Sequence, residues 1–405
     1  VKSSEQSASR RLGVATIDQI ISGASNFLIA LLAAQLLDIE SFGLFGIILL
    51  VNVVVLGGAR ALVSEPLLLH PEEAEQRPGD VISSACVLGL SIGVILVLCG
   101  LAARPLDGDL GEGLMILGVF SPLMVLQDVG RYLGFATRRP SSALTLDVTW
   151  LTLQLGAIAS LVASDLSSLQ AYVAAWAGAG ALAGLIVFWQ HRGVRPRLDI
   201  SWLKETWGFS WRYFVSYTAT QGSGLLAAIL IRAIAGARAL GGVQGALLLQ
   251  RPFMTFQVAV MASGVGEVAR VADDRALVRR MVRKLTILTG GAALLNGVLL
   301  VLVPDSVGRA VLGDTWSVAQ HLVWAAAAQI LVLGLITGFR TGMLGMRAID
   351  RAVVIDVATT VLALVFSTAG AFAGGAEPAM WGAAAASAIG LVMWAVVFHR
   401  HTRDE

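Results

Sequence analysis

The chain is 405 residues long, 56% hydrophobic and 14% charged, with a formal net charge of +2 and a mean hydropathy of +0.77. Soluble domains carry about 25% charged residues, so this composition excludes an ordinary soluble fold. A net charge this small, dispersed over short loops, leaves no footprint for nucleic acid.

Taken in chain order, apolar runs fall at 12–37, 42–65, 81–103, 113–136, 143–163, 168–190, 207–234, 240–262, 284–303, 318–345, 352–374 and 379–399. Runs of about 20 residues separated by short polar connectors are the pattern of helices crossing a hydrocarbon core about 30 Å thick. The sequence therefore predicts an all-α polytopic membrane protein of about twelve transmembrane helices. Arg10 and Arg11 precede a first run that extends to Leu37, too long for a signal-peptide core, and it is read as a span. The third span carries both cysteines, Cys86 and Cys99. Thirteen residues of helix separate them by about 20 Å, beyond disulfide reach, and no ligand spacing points to a metal.

The two longest connectors are 191–206 and 263–283, and the first divides the chain into two six-helix lobes, 1–200 and 201–405. An offset of 199 residues places Gly23 over Gly222, Gly43 over Gly242 and Gly46 over Gly245. Six is an even number, so both lobes start on one side of the membrane, related by a pseudo-twofold axis along the membrane normal. Loop cations test that count: 20 Lys and Arg fall on the side of the N-terminus, against Arg104, Arg238 and Arg309 on the other. The positive-inside rule then predicts cytoplasmic N- and C-termini. Preference for Arg over Lys, with heavy Ala and Gly use, suggests a bacterial coding bias and a bacterial inner-membrane location.

Charges inside spans cost about 2.5–3.5 kcal/mol each and normally face a bundle interior or a wet cavity. Here they are Arg60, Arg131, Arg212, Arg232, Arg251 and Arg340, with Asp18, Glu65, Asp128, Asp147 and Asp356. Helical spacing gathers Asp18, Ser22, Ser25 and Asn26 on one face of the first span. The same spacing gathers Arg212, Ser216, Thr220 and Ser223 on the seventh. Gln244, Arg251 and Thr255 share a face of the eighth, Asp147 and Gln154 of the fifth, and Gln329, Thr337, Arg340 and Thr341 of the tenth. Asp128 and Arg131 are i, i+3 neighbours that can pair.

The competing reading is interfacial: Arg60, Glu65, Arg131, Arg212 and Arg340 lie near span ends, where long side chains snorkel, and Arg232 lies near an outer end. Arg251 stands apart, mid-span and followed by Pro252, which removes a backbone donor. Most of these charges fall in the membrane half nearest the termini, as expected of a site loaded from the cytoplasm with an anionic group. The arginine fork suits phosphate. Gly178, Gly180 and Gly184 read as close-packing positions, and Trp150, Trp189, Trp207 and Trp324 as interfacial anchors. Residues 240–245 are glycine-rich but no Gly-Lys-Ser/Thr follows, so they are not a phosphate loop.

Two passages carry a family resemblance. Residues 37–50, Leu-Asp-Ile-Glu-Ser-Phe-Gly-Leu-Phe-Gly-Ile-Ile-Leu-Leu, resemble the first hairpin of Wzx-type polysaccharide-unit flippases. Residues 264–284, from Gly-Val-Gly-Glu-Val-Ala-Arg through Asp-Asp-Arg-Ala-Leu-Val-Arg-Arg, resemble the segment after the eighth helix in the same multidrug/oligosaccharidyl-lipid/polysaccharide exporter superfamily, without a proline common there. The resemblance implies paired bundles that alternately open to each side and move a polyprenyl-pyrophosphate-linked oligosaccharide outward, its lipid tail remaining among membrane lipids. It implies pyrophosphate-binding roles for Arg60, Arg131, Arg212, Arg251 and Arg340, with Gln244 among the polar side chains for sugar. Asp18 and Asp128 are then candidates for coupling to a monovalent cation or proton. No cofactor, metal or enzymatic activity is expected. The alternatives are a cation-coupled multidrug exporter of the same fold, in which Asp18 is central, and a membrane glycosyltransferase, which the short outer loops disfavour.

Overall fold

The computed structural model describes residues 2–69 and 71–403, with the side chains of 2–13, 15, 16, 74 and 220 set aside. The side chains of Arg10, Arg11 and Thr220 in the expectations above thus lie outside the described set. Among the described residues twelve long helices follow one another, the first six being α1 Lys2–Leu36, α2 Ile39–Leu69, α3 Pro78–Ala103, α4 Gly108–Ala136, α5 Pro140–Ala163 and α6 Leu169–Gln190. The second set is α7 Ser201–Ala235, α8 Ala237–Arg270, α9 Arg275–Val301, α10 Trp316–Gly345, α11 Ile349–Gly374 and α12 Ala376–His401. No strand occurs among the described residues. Eleven of the helices are long and apolar enough to cross a membrane. The exception, α8, has the length, at 34 residues, but carries Gln244, Gln250, Arg251 and Gln257.

The boundaries follow from local chemistry. Pro78 and Pro140 open α3 and α5, where a missing N–H costs nothing. Asp107, Ser168 and Asp274 cap α4, α6 and α9 by accepting from Leu110, Ala171 and Leu277 N–H. At Asp38, before α2, burial works against ionisation, but bonds from Ser41 and Glu40 N–H outweigh it and hold the carboxyl below its usual range. Gly236 and Gly375, at φ 90° and 86°, supply the left-handed corners before α8 and α12.

The chain packs as two compact units, one of Val1–Leu37 with Leu44–Leu225, the other of Asp38–Gly43 with Leu226–Glu405. In the first, α3 packs on α4, α4 on α6, and α5 on α6; in the second, α9 packs on α10, α10 on α12, and α11 on α12. The same three pairings recur six helices on. One turn recurs in detail as well. Arg138 at φ 57° and Arg347 at φ 58° end α4 and α10. Around them Thr137, Arg138 and Arg139 N–H donate to Leu133, Phe135 and Gly134 carbonyls, as Met346, Arg347 and Ala348 N–H donate to Gly342, Leu344 and Met343. The register here is 209 residues, not 199. The connection from α3 to α4 spans 104–107 and that from α9 to α10 spans 302–315. Those ten additional residues, which hold the short helix Asp305–Leu312, account for the change of register.

Trp150 differs from its expected interfacial place. Its indole fills the space left by Gly180, stacks on Trp176 with centroids 6.5 Å apart, and donates to the Trp176 carbonyl. Trp189, Trp207 and Trp324 are exposed. Gly184 lets α6 approach the Leu123 carbonyl of α4, and Tyr172 bonds the Ile29 carbonyl of α1 at 2.7 Å.

Candidate functional site

The intramembrane charges of the first unit converge. Arg131, on α4, lies between three carboxylates: its Nη2 donates to Asp18 of α1 at 3.1 Å, and its Nη1 is 3.5 Å from Asp128, one turn back. Its Nε is 2.9 Å from Asp147 of α5, off the N–H direction, so that contact is one of charge rather than a hydrogen bond. Arg60 of α2 then grips Asp128 with both arms of its fork, Nε to Oδ2 at 2.7 Å and Nη2 to Oδ1 at 2.6 Å. Gln127 donates to Asp147 at 3.0 Å, and Gln154 to Ser25 at 2.6 Å. The Arg60 guanidinium also lies 5.6 Å from the Tyr132 ring centroid. These groups are removed from solvent: Arg131 side chain 6% exposed, Asp18 0%, Asp128 2% and Asp147 4%.

Arg60 reaches Asp128 from an irregular position. Residues Arg60–Ser64 form a π turn in which Glu65 N–H bonds the Arg60 carbonyl. Pro66 follows and has no N–H to donate back to the helix, so widening the preceding turn is a way to accommodate it. Four residues thus come together from three elements: Asp18 from α1, Arg60 from α2, and Asp128 and Arg131 from α4. Asp147 and Gln127 complete the set. The sequence signal for Asp147 was its face shared with Gln154; Gln127 had none.

In the second unit Arg340 of α10 pairs with Asp356 of α11, Nη2 to Oδ2 at 2.9 Å. This is the pair Arg131–Asp147 again, because 131 and 340, like 147 and 356, differ by 209. Gln257 of α8 donates to Thr337 Oγ1 at 2.6 Å and to the Leu333 carbonyl, and Gln250 to the Ala326 carbonyl. Both helices therefore run in one direction, at a register of 76. That register sets Arg340 beside residue 264, thirteen residues and about 20 Å along α8 from Arg251. Arg251 and Gln244 lie two turns apart on α8, both partly buried. Arg212, on α7, is exposed with its guanidinium 5.7 Å from the Trp211 ring centroid. The arginines are thus not gathered into one cradle within either unit.

Residues 32–321 match the family described as "Polysaccharide biosynthesis protein". The chain belongs to that family. Its fold is that of the exporter superfamily named above. A multidrug resistance MATE family transporter of the MOP superfamily, in an inward-facing conformation, is similar at TM-score 0.75 and 10% identity, over 96% of this chain and 98% of that one. The lipid II flippase MurJ, in an inward closed conformation, is similar at TM-score 0.68 and 10% identity, over 95% and 87%. The Vibrio cholerae MATE transporter VcmN, in its bent form, is similar at TM-score 0.57 and 14% identity, over 100% and 99%. No curated protein sequence matches the chain. The resemblance at residues 37–50 and 264–284 therefore holds: this family member is a multi-pass membrane protein of the transporter and flippase fold.

Proposed function

We propose that the protein is a flippase that moves a polyprenyl-pyrophosphate-linked oligosaccharide, a polysaccharide repeat unit, from the cytoplasmic to the outer leaflet of a bacterial inner membrane by alternating access. The observation that carries this reading is the conjunction of a polysaccharide biosynthesis family match with a fold shared with a lipid II flippase. Arginines held within spans support it, since a pyrophosphate needs fork donors at a depth where solvent is scarce. Arg251 with Gln244, Arg340, and Arg212 are separate substrate contacts, each within its own unit, and Arg60 and Arg131 bias the membrane half nearest the termini electrostatically. Lobes 1–200 and 201–405 are the moving parts, with both termini cytoplasmic.

Coupling runs through the first-unit cluster. With every group ionised, Asp18, Asp128 and Asp147 against Arg60 and Arg131 leave one uncompensated negative charge. Among the described residues, Asp18 Oδ1 and Asp147 Oδ2 are buried without hydrogen-bond partners. A single proton or monovalent cation neutralises the set: Asp18, with an orphaned oxygen, is the coupling carboxylate that takes it, and Asp128, shared by Arg60 and Arg131, passes the change to both arginines. The substrate test is mass spectrometry of lipid retained by the purified protein. A bound polyprenyl-pyrophosphate glycan is expected; protein that is consistently empty overturns the reading.

The similarity to a multidrug transporter favours a second reading, cation-coupled drug export. Arg251→Ala separates the two. Glycan export falls in this variant if Arg251 holds the substrate anion, and drug resistance conferred by the protein is untouched if the arginine is incidental.

A further inference from the structure

The repeated Arg–Asp pair differs between its two copies in a way that assigns them different tasks. In the first copy Arg131 has a carboxylate at each of its three nitrogens, and Arg60 spends both its Nε and an Nη on Asp128. Arg131 thus has no nitrogen left for another anion, and Arg60 is fixed on Asp128 by two bonds. In the second copy the position equivalent to Asp128 is Thr337, whose hydroxyl is engaged by Gln257 and the Leu333 carbonyl. At the 199-residue register of the first helices, Asp18 corresponds to Tyr217 and Arg60 to Ala259. Arg340 therefore keeps one carboxylate partner, Asp356, through one Nη. Among the described residues its Nε is buried without a hydrogen-bond partner.

Exposure separates the copies too. The side chains of Arg340 and Asp356 are 41% and 39% exposed, and an open ion pair inside a span belongs beside water rather than hydrocarbon. A guanidinium offers five donors in a planar fork, so Arg340 holds spare donors on a side chain that is 41% exposed, with one intramolecular anion in place.

We propose that Arg340–Asp356 is an exchangeable anion site in which Asp356 acts as a tethered competitor that a pyrophosphate group displaces from the Arg340 fork. The ligand class is a pyrophosphate ester. This rests on the flippase reading and adds its regulation: with substrate absent, Asp356 neutralises Arg340, and substrate entry frees the carboxylate. No covalent step is involved.

The experiment uses the full chain in lipid nanodiscs, with inorganic pyrophosphate as probe and calorimetric affinity as readout. Asp356→Asn removes the competitor while keeping the side chain's shape. Pyrophosphate affinity is expected to rise about fivefold, the factor set by a half-exposed ion pair near the upper end of its range. Arg340→Gln is expected to lose the binding, and Arg340→Lys, which keeps the charge without the fork, to lose most of it. In the double variant Asp356→Asn/Arg340→Gln the gain disappears. Asp165→Asn, which removes a carboxylate from an exposed loop, leaves affinity unchanged. An affinity insensitive to Asp356→Asn, or equal responses to the 165 and 356 changes, overturns the proposal, and unfolding of Arg340→Gln leaves both asparagine variants to decide it. Lipid-linked glycan recovered from wild-type protein that ignores pyrophosphate would sink this inference and leave the flippase reading standing.

Discussion

Removing Arg131 strands the buried carboxylates of Asp18 and Asp147, on two neighbouring helices, while Asp128 on its own helix keeps Arg60, and no other cation among the described residues is paired with the first two. Loss of one partner from a buried ion network costs about 3–5 kcal/mol, because the penalty is the uncompensated charge rather than the lost bond. Arg340 is the same residue in the repeat, yet it is half-exposed and leaves behind one half-exposed carboxylate, for which about 0–1 kcal/mol is the ordinary scale. Arg131→Ala is thus expected to lower the thermal midpoint of the purified protein far more than Arg340→Ala in the same detergent. Equal shifts would mean that the two copies do not differ in burial as described. Asp128 shows why single deletions mislead here: it serves Arg60 and Arg131 together, so the effects of Arg60→Ala and Arg131→Ala should fail to add.

At the scale of elements, two contacts carry separable predictions. Trp202, at the start of α7 and 1% exposed, donates its indole N–H to the Val63 carbonyl inside the π turn, at 3.1 Å. Trp202→Phe keeps an aromatic ring but strands that carbonyl, at about 1–3 kcal/mol, and leaves the smaller ring short of filling the site, read together as a lowered thermal midpoint. Between α9 and α10, Gly338 faces Thr286 so closely that a Cβ would displace it, whereas Gly291 has open space around it. Gly338→Ala is expected to destabilise by about 1–3 kcal/mol through overpacking. Gly291→Ala should instead be neutral or stabilise by up to about 1 kcal/mol, since it only removes helix-interior glycine entropy.

Much of this was legible beforehand. Span positions, the pairing of Asp128 with Arg131 and the candidate charges follow from hydropathy and helical spacing, because membrane helices satisfy their own backbones and betray their length. The repeat was legible only in part. An offset of 199 aligns the glycines of the first two helices but misses Arg131, Arg138 and Asp147 over Arg340, Arg347 and Asp356, since ten residues before α10 shift the register. The closing of α1, α2, α4 and α5 around one guanidinium was not legible, because which faces meet depends on packing that no single helix encodes. Nor was the π turn at Arg60, for which Pro66 was the only cue.

For the whole molecule, the number of crossings turns on α8, which is long enough to span but more polar than the eleven apolar helices. The turns at Arg138 and Arg347 decide it, because α5 through α10 lie between them. Six crossings return them to one side of the membrane, and five, with α8 not spanning, put them on opposite sides. Both native thiols, Cys86 and Cys99, are free, so the background is Cys86→Ala/Cys99→Ala. In that background Arg138→Cys and Arg347→Cys are each expected to resist a membrane-impermeant maleimide in intact cells and to react after permeabilisation. Leu106→Cys, in the exposed α3–α4 connection, should behave in the opposite way. Both turns reacting from outside would invert the orientation inferred from loop arginines and keep the parallel repeat. Turns reacting from opposite sides would remove α8 from the membrane, and with it the mid-span position on which the substrate role of Arg251 depends.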